Sequence, residues 1–230
     1  MTQQKLKSIF LFSLILLFIL ILIQIKDFPG GMFFPGFYFG LIYVIGVLLT
    51  CLFISLILIQ ISKKISFQLC FTSLSSISFI IFLIYFYSPT LKIIVPNNYS
   101  GEIDLVLSNV DKNILIVDEN GIGYINQYTF DKTYKRPKVF NQNGENLDSQ
   151  LKGFNNLIFW SHTGDCCINE KYSIESLNFE ILPKNQKKNE FKFRSLSQLV
   201  NQNKVKLIND EKILATEVMV EMDTIFKQTE

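Results

Sequence analysis

Histidine is almost missing from this chain of 230 residues, where His162 stands alone. Alanine is equally scarce: Ala215 is the only one, so no Ala-x-Ala signal-peptidase site can follow the apolar stretch near the N-terminus. Charged residues make up only 18%, too few for a disordered polyampholyte, and 11 Gly with 6 Pro exclude a collagen-like or Pro-rich chain. No phosphate-binding Gly loop, dinucleotide fingerprint, kinase signature or G-x-S-x-G elbow occurs. The net charge of +2 hides a division. Residues 1–90 carry five Lys against Asp27, leaving 17 basic and 19 acidic groups beyond. That second part has no basic excess with which to grip phosphates, so no nucleic-acid partner is expected.

What the first part has in abundance is long apolar runs. Ile9–Ile25 (IFLFSLILLFILILIQI) is broken only by Ser13 and Gln24, and its other fifteen residues are Leu, Ile or Phe. At about 0.3–0.6 kcal/mol each near mid-bilayer, these favour insertion by at most about 5–9 kcal/mol. Two further runs follow, Phe37–Ile61 and Phe67–Tyr87. At 1.5 Å rise per residue each can cross a hydrocarbon layer of roughly 30 Å with modest tilt. Three membrane spans (about 9–25, 37–61 and 67–87) are therefore expected within residues 1–90, with the lipid bilayer as first partner. The first is expected to stay as an anchor, since bulky residues follow it where a signal peptide would be cut.

Lys5 and Lys7 precede the first span, and Lys63 and Lys64 sit between the second and third, whereas Lys26 is offset by Asp27. The positive-inside rule then predicts a multi-pass protein of the cytoplasmic (inner) membrane with its N-terminus in the cytoplasm and residues 91–230 outside. No Asp, Glu, Lys, Arg or His lies within the spans, which argues against a transport path. Thr72, Ser73, Ser75, Ser76 and Ser78 in the third span are expected to serve close helix packing and hydrogen bonding. Gly36 and Gly40 form a G-x-x-x-G, although Gly36 reads as part of the loop begun by Pro35.

Beyond Pro89 the composition turns to Asn, Lys, Asp, Glu and Ser alternating with apolar residues. Lys92–Val95, Glu102–Leu107, Asn113–Asp118, Tyr124–Phe130, Leu157–Ser161 and Tyr172–Leu182 read as strands punctuated by Asn, Gly and Asp. The rhythm predicts a mainly-β domain, a small antiparallel β-sandwich with one or two short helices. Ser195 is placed to cap a helix through Val200. Residues 210–227 carry helical periodicity, although Glu217–Met222 also alternates like a strand.

Ile94–Gly101 (IVPNNYSG) contains P-x-x-Y-x-G, and Glu119–Ile122 (ENGI) follows some twenty residues later. On these motifs the chain resembles an uncharacterised bacterial domain family, exported or membrane-anchored, whose members share an I-x-P-x-x-Y-x-G strand–turn–strand. It is also similar to carboxypeptidase-regulatory and transthyretin-like sandwiches. The resemblance covers about fifty residues, rests on Pro96, Tyr99, Gly101, Asn120 and Gly121, and implies no catalytic residues. These five read physically as turn residues: Pro96 fixes φ, and Gly101 permits close backbone approach or a bulge. Asn98-Tyr99-Ser100 matches a glycosylation acceptor but is read as turn composition.

The most suggestive chemistry is Ser161-His162-Thr163-Gly164-Asp165-Cys166-Cys167, just after the single Trp160. Imidazole, carboxylate and thiolates can bind a soft or borderline metal, making His162, Cys166 and Cys167 candidate ligands. Against this, three ligands would have to come from one short loop. A Cys166–Cys167 bridge would span adjacent Cα atoms 3.80 Å apart, short of the usual 4.4–6.8 Å. Cys51 and Cys70 differ in membrane depth by roughly 10 Å and are read as packing residues. Ser161 and His162 would face opposite ways on a strand, unsuited to a nucleophile and its base. Lys184–Lys188 (KNQKK) reads as a solvated connection. No catalytic residue, metal site or cofactor is assigned. The chain reads as a membrane protein displaying a β domain that binds another membrane or envelope protein or an envelope component. A thiol-redox or metal enzyme centred on His162, Cys166 and Cys167 is the alternative.

Overall fold

A computed structural model describes residues 3–26, 28, 35–61, 66–168, 172–183 and 195–209. Within them the chain forms two compact units that meet in sequence between Pro89 and Thr90. The first unit holds three helices long and apolar enough to cross a membrane: α1 (Gln3–Ile25), α2 (Gly36–Ile61) and α3 (Phe67–Tyr85). Large apolar side chains cover their outward faces, Phe12 and Ile84 each being 71% exposed. Apolar faces of this extent suit a lipid surrounding.

Inside this unit Ile21, Ile25, Val44, Phe79 and Phe82 form the core. Phe28, Tyr43, Phe82 and Phe86 add an aromatic cluster with ring centroids 4.8–6.2 Å apart. Gln24, the polar break in α1, donates its amide to the Phe86 carbonyl. Gly36 is the first residue of α2 rather than part of the preceding loop, and both Gly36 and Gly40 are buried. A Cβ on Gly40 would lie 2.9 Å from both γ-carbons of Ile25, so its lack of a side chain sets how closely α1 and α2 approach.

The hydroxyls of α3, expected to serve packing and hydrogen bonding, divide between the two. Thr72 and Ser73 donate back to carbonyls of their own helix. Ser75 and Ser76, with Ser55 of α2, are buried with no hydrogen-bond partner among the described residues. Small volume is thus their contribution to packing. Cys51 and Cys70 are free thiols, Cys51 being buried with its sulfur 3.5 Å from the Ser78 hydroxyl.

The second unit is mainly β, with two sheets. Strands β1 (Lys92–Val95) and β4 (Lys138–Asn141) form a two-stranded parallel sheet. The larger sheet centres on β7 (Tyr172–Ile181), which pairs antiparallel with β2 (Gly101–Leu107), β5 (Leu151–Lys152), β6 (Ser161–Ile168) and β8 (Ile208–Asn209). β2 also pairs in parallel with β3 (Ile122–Ile125). The ladders are therefore mixed, whereas antiparallel pairing alone was expected. Residues 108–121, between β2 and β3, are long enough for the crossover that parallel neighbours need. Ile93, Val95 and Val139 of the small sheet share one core with Ile103, Leu105, Leu107, Leu177, Phe179 and Ile181 of the large one.

Three expected strands change character. Residues 113–118 make only isolated bridges, Ile114 to Tyr124 and Ile116 to Ile94. The apolar run from Tyr124 stops being extended at Ile125, because Asn126 Oδ1 accepts a hydrogen bond from the Thr129 amide at 3.0 Å and starts α4 (Gln127–Lys132). Leu157 and Ile158 belong to a turn in which both backbone amides donate to Asn155 Oδ1 at 2.7 Å. Conversely, the Ser161–Cys167 cluster, of which only Ser161 was expected in a strand, lies wholly within β6. Helix α5 (Leu196–Leu199) follows Ser195, but the Ser195 hydroxyl bonds that of Ser197 instead of capping a backbone amide as expected, and the helix ends at Leu199. Lys63–Lys64, Lys184–Lys188 and residues 210–227 lie outside the described residues.

Candidate functional site

The two turns singled out in the sequence meet. The Tyr99 amide donates to the Pro96 carbonyl at 3.2 Å, closing a turn in which Asn98 takes φ of 60°. Gly101 (φ 138°) then begins β2. In the second turn the Asp118 carboxylate accepts the amides of Asn120 and Ile122 at 2.9 Å each, and Gly121 has φ of 79°. The Tyr99 hydroxyl donates to the Glu102 carbonyl at 2.6 Å and sits where a Cβ on Gly121 would be. Pro96, Tyr99, Gly101, Asn120 and Gly121 thus build one structural joint beside β2 and β3.

The strand β6 sorts the Ser161–Cys167 cluster by alternation. Ser161 pairs with Asn178, His162 with Leu177, and Thr163 with Ser176. Successive side chains point to opposite faces, so His162 leaves on the face of Leu177 while Ser161 and Thr163 leave on the other. His162 is exposed at the sheet rim, its ring 5.6 Å from Phe130 in an edge-on contact. Trp160 is buried and donates its indole N–H to the Lys135 carbonyl at 2.8 Å. Cys166 and Cys167 lie in β6 where its pairing with β7 shifts register between Asp165 and Ile168. Four residues of strand, about 13 Å, separate His162 from Cys166 along the backbone. Among the described residues no three His, Cys, Asp or Glu side chains gather as a metal would need.

The face opposite His162 carries a polar row that the sequence reading missed. On this face stand Glu102 and Asp104 of β2, Ser176 and Asn178 of β7 and Thr163 of β6, with Asp104 opposite Asn178, Thr163 opposite Ser176, and the other contacts diagonal. Thr163 and Ser176 hydroxyls are 2.8 Å apart, and Ser176 lies 3.3 Å from an Asp104 carboxylate oxygen. The Asn178 amide donates to Glu102 Oε1 at 3.0 Å and to Thr163 Oγ1 at 3.1 Å. Asp104, Ser176 and Asn178 are buried, whereas Glu102 and Thr163 are half-exposed. On the same face Val106, Ile122, Tyr124 and Ile174 pack under Leu196, Val200 and Val205, closing one end of the row. The signal was present as E-I-D in β2 and S-L-N in β7, polar residues at period two. Alternation alone reads them as a solvated face, because the segment covering them follows in sequence only after residue 195.

No protein-family model matches the chain, and no curated protein matches it. Among solved structures, a 2.75 Å crystal structure of a Bacillus anthracis protein assigned as a lipoprotein is similar at 12% identity, covering 49% of this chain and 90% of its own, with a TM-score of 0.25. A likeness at that level leaves fold and function unassigned.

Proposed function

We propose that this chain is a multi-pass protein of the cytoplasmic membrane whose β domain is displayed on the extracytoplasmic side, where it binds a protein or envelope component without catalysing a reaction. Lys5 and Lys7 before the first span, Lys63 and Lys64 after the second, and the resemblance carried by Pro96, Tyr99, Gly101, Asn120 and Gly121 support the display. The observation that carries the binding role is the sorting of side chains by β6. The hydroxyl–carboxylate row of Thr163, Ser176 and Asp104 lies on one face and His162 on the other. Nucleophile and base are thereby held apart, while Glu102 and Thr163 still offer hydrogen-bonding groups to a polar ligand.

Two measurements test this. Protease shaving of intact cells should remove a tag placed after Glu230; full protection would overturn the display. A photo-crosslinking residue replacing Thr163, in the full chain in its native membrane, should yield a discrete adduct of defined mass. Absence of any adduct, together with two thiols at positions 166 and 167 that titrate as thiolates near neutral pH, would favour the redox enzyme instead.

A further inference from the structure

The outer face of the two-stranded sheet carries an arrangement that folding alone does not explain. In β1 and β4 the inward residues Ile93, Val95, Val139 and Asn141 are buried, leaving Lys92, Ile94, Lys138 and Phe140 outward. The parallel register sets Lys92 beside Lys138 and Ile94 beside Phe140, and a bridge adds Ile116 next to Ile94. That row runs Asn146–Phe140–Ile94–Ile116, its last three members apolar, with Ile116 63% exposed. The adjacent row is a pair of like charges on neighbouring strands, about 4.8 Å apart at the backbone. Like charges directly opposite destabilise a sheet. Neither ammonium has an acidic partner within 4 Å among the described residues; Lys92 lies 5.1 Å from the centroid of the Phe140 ring.

We propose that this face docks on the anionic headgroups of a lipid bilayer, with Lys92 and Lys138 against phosphates and Phe140, Ile94 and Ile116 at the acyl boundary. Paired cations beside an aromatic and two aliphatic side chains match what an anionic interface takes. Reach supports the same occupant. Seven Cα steps join Tyr85, the end of α3, to Lys92, so the chain allows the two to be at most about 25 Å apart, within reach of a headgroup layer. Docking would relieve the Lys92–Lys138 repulsion and shield Ile116 from water. It does not depend on which side of the membrane the domain occupies.

The test uses the full chain in nanodiscs carrying an Ile116→Trp reporter and brominated acyl chains. Trp160 is buried in the core and gives a constant background. Discs with 30% anionic lipid should quench the reporter at least twofold more than zwitterionic discs, and 0.5 M salt should reverse the difference. Lys92→Gln and Lys138→Gln should each lower the docked-to-free ratio about 5-fold. The Lys92→Arg/Lys138→Arg double variant should keep it. A second readout on the parent chain, acetylation of Lys92 and Lys138 followed by mass spectrometry, should show protection in anionic discs only. Quenching and acetylation that ignore lipid composition would overturn the proposal and leave the face to a protein partner. Failure here would leave the display and binding role above untouched, since those are read at Glu230 and Thr163.

Discussion

The Tyr99 hydroxyl occupies the space into which any side chain at Gly121 would grow, and the Glu102 carbonyl that accepts its proton bounds the same space. Two turns twenty residues apart are locked by this contact, and they launch β2 and β3 side by side. Asp104 closes the joint, its amide donating to the Gly121 carbonyl at 3.0 Å.

Gly121→Ala should therefore cost more than an ordinary glycine replacement. A positive φ of 79° strains any L side chain by about 1–3 kcal/mol, and the collision with Tyr99 and Glu102 adds to it. Tyr99→Phe alone removes one hydrogen bond, about 1 kcal/mol. The double variant should be more stable than the two losses summed, because deleting the hydroxyl frees part of the space the new methyl needs. Thermal unfolding of the full chain in detergent, followed through the buried Trp160, measures all three; strict additivity would separate the two turns.

Asn126→Ala should destabilise the β domain by about 1 kcal/mol, because the Thr129 amide at the start of α4 loses its acceptor. Asn126→Asp keeps an oxygen in place and should cost less. The same unfolding measurement distinguishes them. Equal losses would mean that the Asn126 side chain acts through its amide contact with the Asp111 carbonyl rather than as a cap.

This cap marks the boundary of what the sequence made legible. The spans were plain, since runs of Leu, Ile and Phe leave little competition between alternatives. β1, β2 and β7 were also plain, because alternation and burial agree in Ile103, Leu105, Leu177 and Phe179. Pattern failed where one side chain decides the backbone. Asn126 turns a β-rich run into a helix, and Asn155 turns Leu157–Ile158 into a loop. The two-residue strand β5 was unread because it is too short for a period to declare itself, and β4 (KVFN) because it carries only two apolar residues, against three in the equally short β1 (KIIV). Of the candidate site, the turn residues were legible from Gly and Pro chemistry. The Glu102–Asn178–Thr163 row was not, because which strands become neighbours is settled by long-range pairing.

Replacing the two neighbours His162 and Thr163 should have unequal consequences. His162→Ala removes an exposed ring that touches Phe130 at the rim, and stability should change by no more than about 0.5 kcal/mol. Thr163→Val deletes the hydroxyl shared by Ser176 and Asn178, leaving buried polar groups short of a partner at a cost of about 1–3 kcal/mol. Thr163→Ser retains the hydroxyl and should recover most of this loss. If His162→Ala proved the more damaging, the assignment of faces along β6 would be wrong.

In the membrane unit the decisive contact is Gly40 against Ile25. A methyl at position 40 would press within 2.9 Å of both γ-carbons of Ile25, and the branched side chain of valine would press further. Gly40→Ala should loosen the bundle modestly and Gly40→Val more strongly, by about 1–3 kcal/mol, as overpacking of a tight helix contact does. Ile25→Ala in the same chain opens the space and should restore most of what Gly40→Val loses, although each change alone is harmful. Resistance of the full chain to SDS, read as the detergent fraction at half-unfolding, measures this series. Rescue would assign the loss to the α1–α2 approach. A double variant worse than either single change would mean that Gly40 serves the helix backbone itself rather than its neighbour.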